Sequence, residues 1–124
     1  MPIVHADDAV IHELDGTRFV SYASPSRGSA ELCAWRLEVP AGSVGIAHTI
    51  TREEIFCVLA GTLRVTLDGE TSQAGPGDVV LAGAGTTLSV GNPGDAMATV
   101  WVTTSVGIEA EFGDGSRIVP PWTQ

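Results

Sequence analysis

Short apolar or alternating runs, each closed by turn residues, are the feature that most limits what this chain can fold into. About ten such runs occur, and the clearest is residues 31–39, where apolar and polar side chains alternate. Glycine and proline fall between the runs, and Asp68-Gly69 is a strong two-residue hairpin signal. No window carries a capped helical period, and the best short candidate for a helix is residues 6–14. The pattern predicts an all-β domain, because sandwiches and closed barrels bury one face of each sheet and limit open edges.

Length and charge narrow the kinds of partner. A chain of 124 residues is expected to form a single domain, residues 1–124, with no linker or repeat. The formal net charge is −9, and all six basic side chains are arginines. Such a surface repels phosphate backbones and anionic lipids, so we expect no nucleic-acid partner and no membrane partner.

The two cysteines bear on the cellular compartment. Cys33 and Cys57 both lie within predicted strands, and the simplest interpretation is two buried free thiols in a reducing cytoplasm. A disulfide between them is the alternative. The N-terminal residues lack the basic and long apolar segments of a signal peptide, and no run is long enough to span a bilayer. We therefore expect a cytoplasmic protein.

Two glycine-containing stretches carry the most specific pattern in the chain. Residues 42–61 hold a histidine and a glutamate between two glycines, and residues 77–92 end on an asparagine. In this register the chain resembles the cupin superfamily, in particular its small single-domain members, over about residues 35–102, with matches at Gly42, His48, Glu54, Gly61, Gly77, Gly85 and Asn92. The resemblance implies a double-stranded β-helix, the jelly-roll cupin barrel. It does not imply one function, because this fold carries many activities.

The resemblance also implies a metal site in the barrel mouth, built from a His-x-His pair, a glutamate and a distant histidine. This chain keeps His48 and Glu54, whereas Ile50 and Leu88 stand at the two other ligand positions. Neither aliphatic side chain can bind a metal, and catalytic metals usually have three or four protein ligands. We therefore expect no cofactor. A divalent transition metal held by His48, Glu54 and Cys33 is the alternative.

Beyond these two groups, the predicted pocket wall is mainly apolar. Alternation along the strands and the motif positions direct six side chains toward the barrel interior: Cys33, Trp35, Ile50, Phe56, Leu88 and Val90. Such walls suit an apolar or aromatic small molecule, although the same side chains would also serve as ordinary barrel core. If His48 and Glu54 share the cavity, the carboxylate favours the imidazolium, and the pair can hold or move a proton.

Each of these polar groups also has an interpretation that involves no function. His48 can be a pocket histidine satisfied by one hydrogen bond, and Glu54 can face solvent and guard its strand against edge pairing. His5 and His12, in the N-terminal segment, are expected on the surface, although that segment could also wrap back over the barrel.

Three function classes follow, and the sequence leaves open whether the chain is an enzyme. The first is small-molecule binding in the barrel mouth without a complete metal site. The second is a metal-independent isomerase, epimerase or cyclase that uses His48 and Glu54 as catalytic acid and base. The third is a metal-dependent, dioxygenase-like enzyme in which other residues replace the missing ligands.

An apolar row on the outside of one strand predicts self-association. Ile55, Cys57 and Leu59 lie on the face opposite Glu54, and soluble monomers seldom expose such a row. We expect a homodimer formed through this sheet. The resemblance points the same way, because small cupins commonly dimerise.

Overall fold

Twelve β-strands form two six-stranded antiparallel sheets in the computed structural model, which describes residues 3–124. The first sheet contains, in spatial order, β1 (Val10–Leu14), β2 (Thr17–Ala23), β3 (Leu32–Val39), β10 (Ala98–Ser105), β5 (Glu54–Ala60) and β8 (Val79–Ala82). The second contains β12 (Arg117–Ile118), β11 (Ala110–Phe112), β4 (His48–Ile50), β9 (Thr87–Gly91), β6 (Leu63–Leu67) and β7 (Glu70–Ala74). Inward side chains of both sheets form one apolar core. The predicted all-β jelly-roll barrel is therefore confirmed.

Alternation along the central strands places the core. In β3 the inward residues Trp35, Leu37 and Val39 are 4%, 3% and 1% exposed. Opposite Leu37 and Trp35 on β10 stand Val100 and Val102, which are fully buried. Because side chains on a strand point alternately to its two faces, the pattern of residues 31–39 turns one apolar row into the barrel.

Two Asp-Gly pairs make the tightest hairpins. Asp68 and Gly69 join β6 to β7 with φ angles of 48° and 87°, and Asp15 and Gly16 join β1 to β2 with 51° and 81°. Two successive positive φ angles are characteristic of the type I′ turn, whose twist matches that of the flanking strands. The hairpin predicted at Asp68-Gly69 is present, whereas the one at Asp15-Gly16 was not predicted.

The weak helix candidate at residues 6–14 does not form an α-helix. Ala6–Asp8 form one 3₁₀ turn, and Val10–Leu14 form β1, which pairs with β2 over its whole length. Val10 and Ile11 are β-branched and favour extended backbone, and the Asp15-Gly16 turn returns the chain so that β1 has a partner. Cross-strand pairing therefore outweighs the weak helical pattern.

Helical structure in the described chain is limited to three short 3₁₀ turns, Ala6–Asp8, Pro25–Arg27 and Pro121–Thr123. Among residues 3–124, no helix has the length and apolar character required to cross a bilayer.

The C-terminal tail returns to the first sheet and is held there by hydrogen bonds. Ser21 Oγ donates to the carbonyl oxygen of Trp122 at 2.9 Å, and Cys33 Sγ donates to the carbonyl oxygen of Thr123 at 3.4 Å. These bonds position Trp122 beside β2 and β3, where its side chain becomes part of the barrel wall.

Candidate ligand-binding cavity

A cavity of about 150 Å³ opens between the two sheets at one end of the barrel. Its walls come from both sheets, from the β1–β2 hairpin, from residues 43–46 before β4 and from the C-terminal tail. Apolar side chains dominate the lining, and its titratable side chains are Asp15, His48 and Glu54. A concave, mostly apolar site with few polar groups is the usual form of a small-molecule pocket.

Most of the pocket residues predicted from sequence lie along this cavity: Trp35, Ile50, Phe56, Leu88 and Val90, together with His48 and Glu54. Cys33 lies outside the lining. It is fully buried beneath the tail, where its thiol is hydrogen-bonded to Thr123, and burial raises the pKa of that thiol.

Glu54 is the first residue of β5 and points into the barrel. Its neighbours alternate, so that Phe56 is also buried whereas Ile55 is 39% exposed on the outer face. The Glu54 side chain is 5% exposed, and burial is the sole cause that raises the pKa of its carboxyl group to about 8. At pH 7 this group is therefore mostly protonated, and a protonated carboxyl can donate as well as accept a hydrogen bond.

His48 lies on the opposite wall, on β4, between Leu88 of β9 and Phe112 of β11. Its Nδ1 atom is 3.0 Å from the carbonyl oxygen of Ile46. Because a carbonyl oxygen only accepts, Nδ1 carries the hydrogen in this contact, and the Nε2 atom of the neutral ring is left with a free lone pair.

The two polar groups share the cavity without forming a pair. They belong to different sheets, and the ion pairs among residues 3–124 all involve arginine rather than His48. No ion pair joins His48 to Glu54 within the described residues, and the predicted effect of this carboxylate on the imidazole stays a prediction. Without a positive partner, burial dominates and keeps the carboxyl group protonated.

Trp35 adds a third polar group to the cavity, and its N–H has no hydrogen-bond partner in the described chain. The residue is 4% exposed, and its indole Nε1 atom is buried without a hydrogen-bond acceptor. Trp35 on β3 and Phe56 on β5 both stand opposite Val102 of β10, so they lie on one inward face with a single strand between them. Glu54 is the next inward residue after Phe56 on that wall.

An aromatic stack closes the side of the cavity next to Trp35. The rings of Phe19 and Trp122 are parallel to within 12°, and their centroids lie 3.6 Å apart. The rings of Trp35 and Trp122 meet in an edge-to-face arrangement, with their centroids 6.3 Å apart and an angle of 62° between their planes. Phe19 and Trp122 were not predicted as pocket residues, because no local pattern in the sequence relates the tail to β2.

The segment before β4 lies very close to β9, and glycine makes this approach possible in steric terms. A Cβ atom on Gly45 would fall well inside the van der Waals radius of the Val90 carbonyl oxygen, and one on Gly91 would lie 2.7 Å from the Ser43 carbonyl oxygen. The Asn92 and Ser43 backbones are hydrogen-bonded at 2.9 Å. Residues 43–46 are thereby fixed against β9 as one wall of the cavity.

Asn92, one of the matched motif residues, uses its side chain to hold backbone groups together. Its amide nitrogen donates to the carbonyl oxygens of Val39 at 3.0 Å and Ala96 at 2.7 Å, and its amide oxygen accepts from the Gly94 N–H at 2.9 Å. With 1% exposure and these three bonds, Asn92 joins the ends of β3 and β9 to the loop before β10.

The donor set does not fit a resident transition metal. Within residues 3–124 no three His, Cys, Asp or Glu side chains are placed to hold one ion. The walls beside His48 carry Ile50 and Leu88, and Cys33 is bound to the tail outside the cavity, so the alternative set of His48, Glu54 and Cys33 is not assembled. Asp15, the remaining acidic residue of the lining, is not grouped with His48 and Glu54 either. Two donors on facing walls fall short of the three or four that such metals usually require.

Comparison with known proteins supports the fold. The sequence profile described as Cupin domain matches residues 35–105, so the predicted resemblance is confirmed. An RmlC-like cupin from Shewanella frigidimarina has a TM-score of 0.73 and 17% identity, over 85% of this chain and 90% of that one. KdgF from Halomonas sp. has a TM-score of 0.71 and 22% identity, over 85% of this chain and 93% of that one.

A third similar structure is the polyketide cyclase RemF from Streptomyces resistomycificus, with a TM-score of 0.71 and 20% identity over 85% of this chain and 79% of that one. The chain spans 61% of the length of the EutQ protein from Clostridium difficile, which also shares the fold. No curated protein matches the chain by sequence. At these identities the similarity is one of fold, which does not by itself assign an activity.

Proposed function

This chain belongs to the cupin family, and on that basis we propose that it binds a small, partly apolar molecule in the barrel mouth without a resident metal. The observation that carries the proposal is an apolar cavity in which the indole N–H of Trp35 is buried without an acceptor, beside the buried carboxyl group of Glu54. Buried polar groups are costly unless they are hydrogen-bonded, so a ligand that supplies the missing partners would bind favourably here.

A cavity-filling substitution tests the site. Val90→Phe adds a ring to the wall, whereas Ser89→Ala changes the neighbouring residue of the same strand, outside the cavity lining. We expect small aromatic compounds to raise the melting temperature of the wild-type protein and of Ser89→Ala, and to have little effect on Val90→Phe. Equal stabilisation of both variants would contradict a ligand site between the sheets.

Metal content tests the other half of the proposal. Protein purified without chelator should contain far less than one transition-metal ion per chain. Stoichiometric iron, manganese, nickel or zinc would contradict the metal-free site and would favour the metal-dependent, dioxygenase-like class. That class has less support, because Asp15, His48 and Glu54 of the cavity lining are not placed to hold one ion within the described residues.

A metal-independent isomerase, epimerase or cyclase is the second candidate. The observation that favours it is the placement of the two groups on facing walls: the protonated Glu54 carboxyl group can donate a proton, and Nε2 of His48 is left open by the contact of Nδ1 with the Ile46 carbonyl oxygen. In this case Glu54→Gln and His48→Gln should each lower kcat strongly while ligand affinity is retained. Binding without turnover by the wild-type protein would favour the first candidate.

We also propose that the protein is a homodimer. Ile55 and Leu59 on β5 are 39% and 52% exposed, and Val79 and Leu81 on the adjacent edge strand β8 are 54% and 65% exposed. The outer face of the second sheet instead carries hydroxyl pairs, Thr49 with Thr87 at 2.8 Å and Thr66 with Thr71 at 2.9 Å. In the described chain the exposed apolar face therefore belongs to the first sheet and not to the second. This difference supports association of two copies through the first sheet.

A cytoplasmic location completes the proposal. Cys33 and Cys57 are both free cysteines, and free thiols persist in reducing compartments. Equal thiol content before and after treatment of freshly isolated protein with a reductant would support it, and a cysteine found oxidised would contradict it.

A further inference from the structure

The geometry points to a ligand of one chemical class, an inference that rests on the proposed binding function: an uncharged molecule with a single flat ring, a carbonyl oxygen and a hydroxyl group. The carbonyl oxygen would accept hydrogen bonds from the indole N–H of Trp35 or the carboxyl group of Glu54. The hydroxyl group would donate to Nε2 of His48 on the facing wall.

The absence of a positive charge around the cavity argues against an anion. Among residues 3–124 no arginine lines the cavity, the sequence contains no lysine, and two of the three titratable lining residues, Asp15 and Glu54, are acidic. A buried carboxylate or phosphate would lose its hydration and find no counter-ion there, a cost that an uncharged molecule avoids.

The hydrogen-bonding atoms available in the cavity determine which two oxygen-containing groups the ligand carries. Trp35 Nε1 can only donate, and the His48 Nε2 lone pair can only accept in the neutral ring. The protonated Glu54 carboxyl adds a donor on the same wall as Trp35. A molecule with an acceptor at one end and a hydroxyl at the other therefore satisfies groups on both walls.

The size of the cavity and the chemistry of its walls determine the apolar part of the ligand. A cavity of about 150 Å³ matches, in order of magnitude, an engineered apolar cavity of about 150 Å³ that binds benzene. The flat faces available for packing come from Phe19, Trp35, Phe56, Phe112 and Trp122. One substituted aromatic ring fits this space, whereas a larger molecule would extend through the mouth.

Four probes that share one phenol ring separate the ligand classes. They are 4-hydroxyacetophenone, which is uncharged with a carbonyl; 4-hydroxybenzoate, an anion; tyramine, a cation; and 4-ethylphenol, which lacks the carbonyl. Titration calorimetry at pH 6.5 should give 4-hydroxyacetophenone an affinity at least about tenfold above that of either charged probe. The carboxylate of 4-hydroxybenzoate finds no positive partner. The ammonium of tyramine loses its hydration next to a Glu54 carboxyl group that is mostly protonated, and Asp15 is exposed. Tighter binding of 4-hydroxybenzoate or tyramine would overturn this inference and leave the proposed binding function standing. Failure of all four probes to bind would overturn both.

Trp35→Phe keeps the ring and removes the N–H. This variant should bind 4-hydroxyacetophenone with roughly tenfold lower affinity, the usual scale for one lost hydrogen bond, and 4-ethylphenol with nearly unchanged affinity. Trp101→Phe, the same substitution on β10 outside the cavity lining, is the matched control and should change neither affinity.

A second variant keeps the inference testable if Trp35→Phe does not fold. His48→Phe, at a partly exposed position, removes the Nε2 acceptor. It should weaken the binding of 4-hydroxyacetophenone more than the binding of acetophenone, which has no hydroxyl group. The assignment would be overturned if His48→Phe preferred 4-hydroxyacetophenone over acetophenone as strongly as the wild-type protein does. It would also be overturned if folded Trp35→Phe bound 4-hydroxyacetophenone with unchanged affinity.

Discussion

Phe19 and Trp122 stack face to face, with ring centroids 3.6 Å apart, and so attach the C-terminal tail to β2 at the wall of the cavity. The contact joins a strand near the start of the chain to its last residues. Both rings line the cavity, and the position of this wall therefore depends on the tail.

Removal of the stacked ring should weaken both the fold and the site. Trp122→Ala is expected to lower the free energy of unfolding by about 2–4 kcal/mol, because large-to-small changes lose apolar contacts and leave a cavity. Urea denaturation monitored by circular dichroism measures the change. Trp122→Phe, which can keep the stack on Phe19, should recover most of the loss; equal destabilisation by both variants would argue against the ring contact as the cause.

Glu54 should make stability depend on pH. Burial raises the pKa of its carboxyl group to about 8 from 4.5, so between these values the folded protein keeps a proton that the unfolded chain has released. The contribution of Glu54 to the free energy of unfolding is complete below the lower value and falls as pH rises, by about 1.4 kcal/mol per pH unit inside the window.

Glu54→Gln removes this titration. The variant should therefore gain stability relative to wild type as pH rises from 5 to 8.5, by roughly 2 kcal/mol or more. Urea midpoints across this pH series measure the difference, and Glu53→Gln, at the exposed neighbouring position, is the control. A wild-type–variant difference that stays constant with pH would contradict a raised pKa.

Gly45 should tolerate no side chain. A Cβ atom there would overlap the Val90 carbonyl oxygen, so Gly45→Ala must move residues 43–46 away from β9. We expect a loss of about 1–3 kcal/mol in stability, the usual range for overpacking, together with weaker ligand binding at this wall. Gly113→Ala is a matched control, because a Cβ atom at Gly113 meets nothing within 4 Å; similar effects at both positions would contradict the proposed steric role.

Charges on the apolar outer face should separate the proposed dimer. Leu59→Arg combined with Leu81→Arg places two charges among side chains that are 52% and 65% exposed. Analytical ultracentrifugation should find a dimer for wild type and a monomer for this variant. Thr66→Arg combined with Thr71→Arg, on the outer face of the second sheet, should remain dimeric; dissociation by that control instead would move the interface to the other sheet.

Several features of the fold and the cavity could be predicted from short stretches of sequence. Alternation in residues 31–39 directed Trp35 inward, and the same rule placed Glu54 and Ile55 on opposite faces of β5. The Asp68-Gly69 turn could be predicted because positive φ angles at both positions favour these residue types. All of these features depend on neighbours within a few residues.

Other features depend on groups that are distant in sequence. Cys33 alternates inward as the pattern of β3 predicts, yet the returning tail covers it and removes it from the cavity. β1 becomes a strand because β2 pairs with it. The protonation of Glu54 depends on how much water and how many charges the whole barrel leaves around it.

The amino-acid sequence by itself thus determined most of the strands, the tight turn at Asp68-Gly69, the cupin register and the inward direction of the main pocket residues, because backbone geometry and side-chain alternation are local. Only the tertiary structure decided that Trp122 closes the cavity, that His48 and Glu54 face each other without pairing, and that Glu54 is protonated. The physical reason is that desolvation, packing and charge compensation are sums over groups brought together from distant parts of the chain.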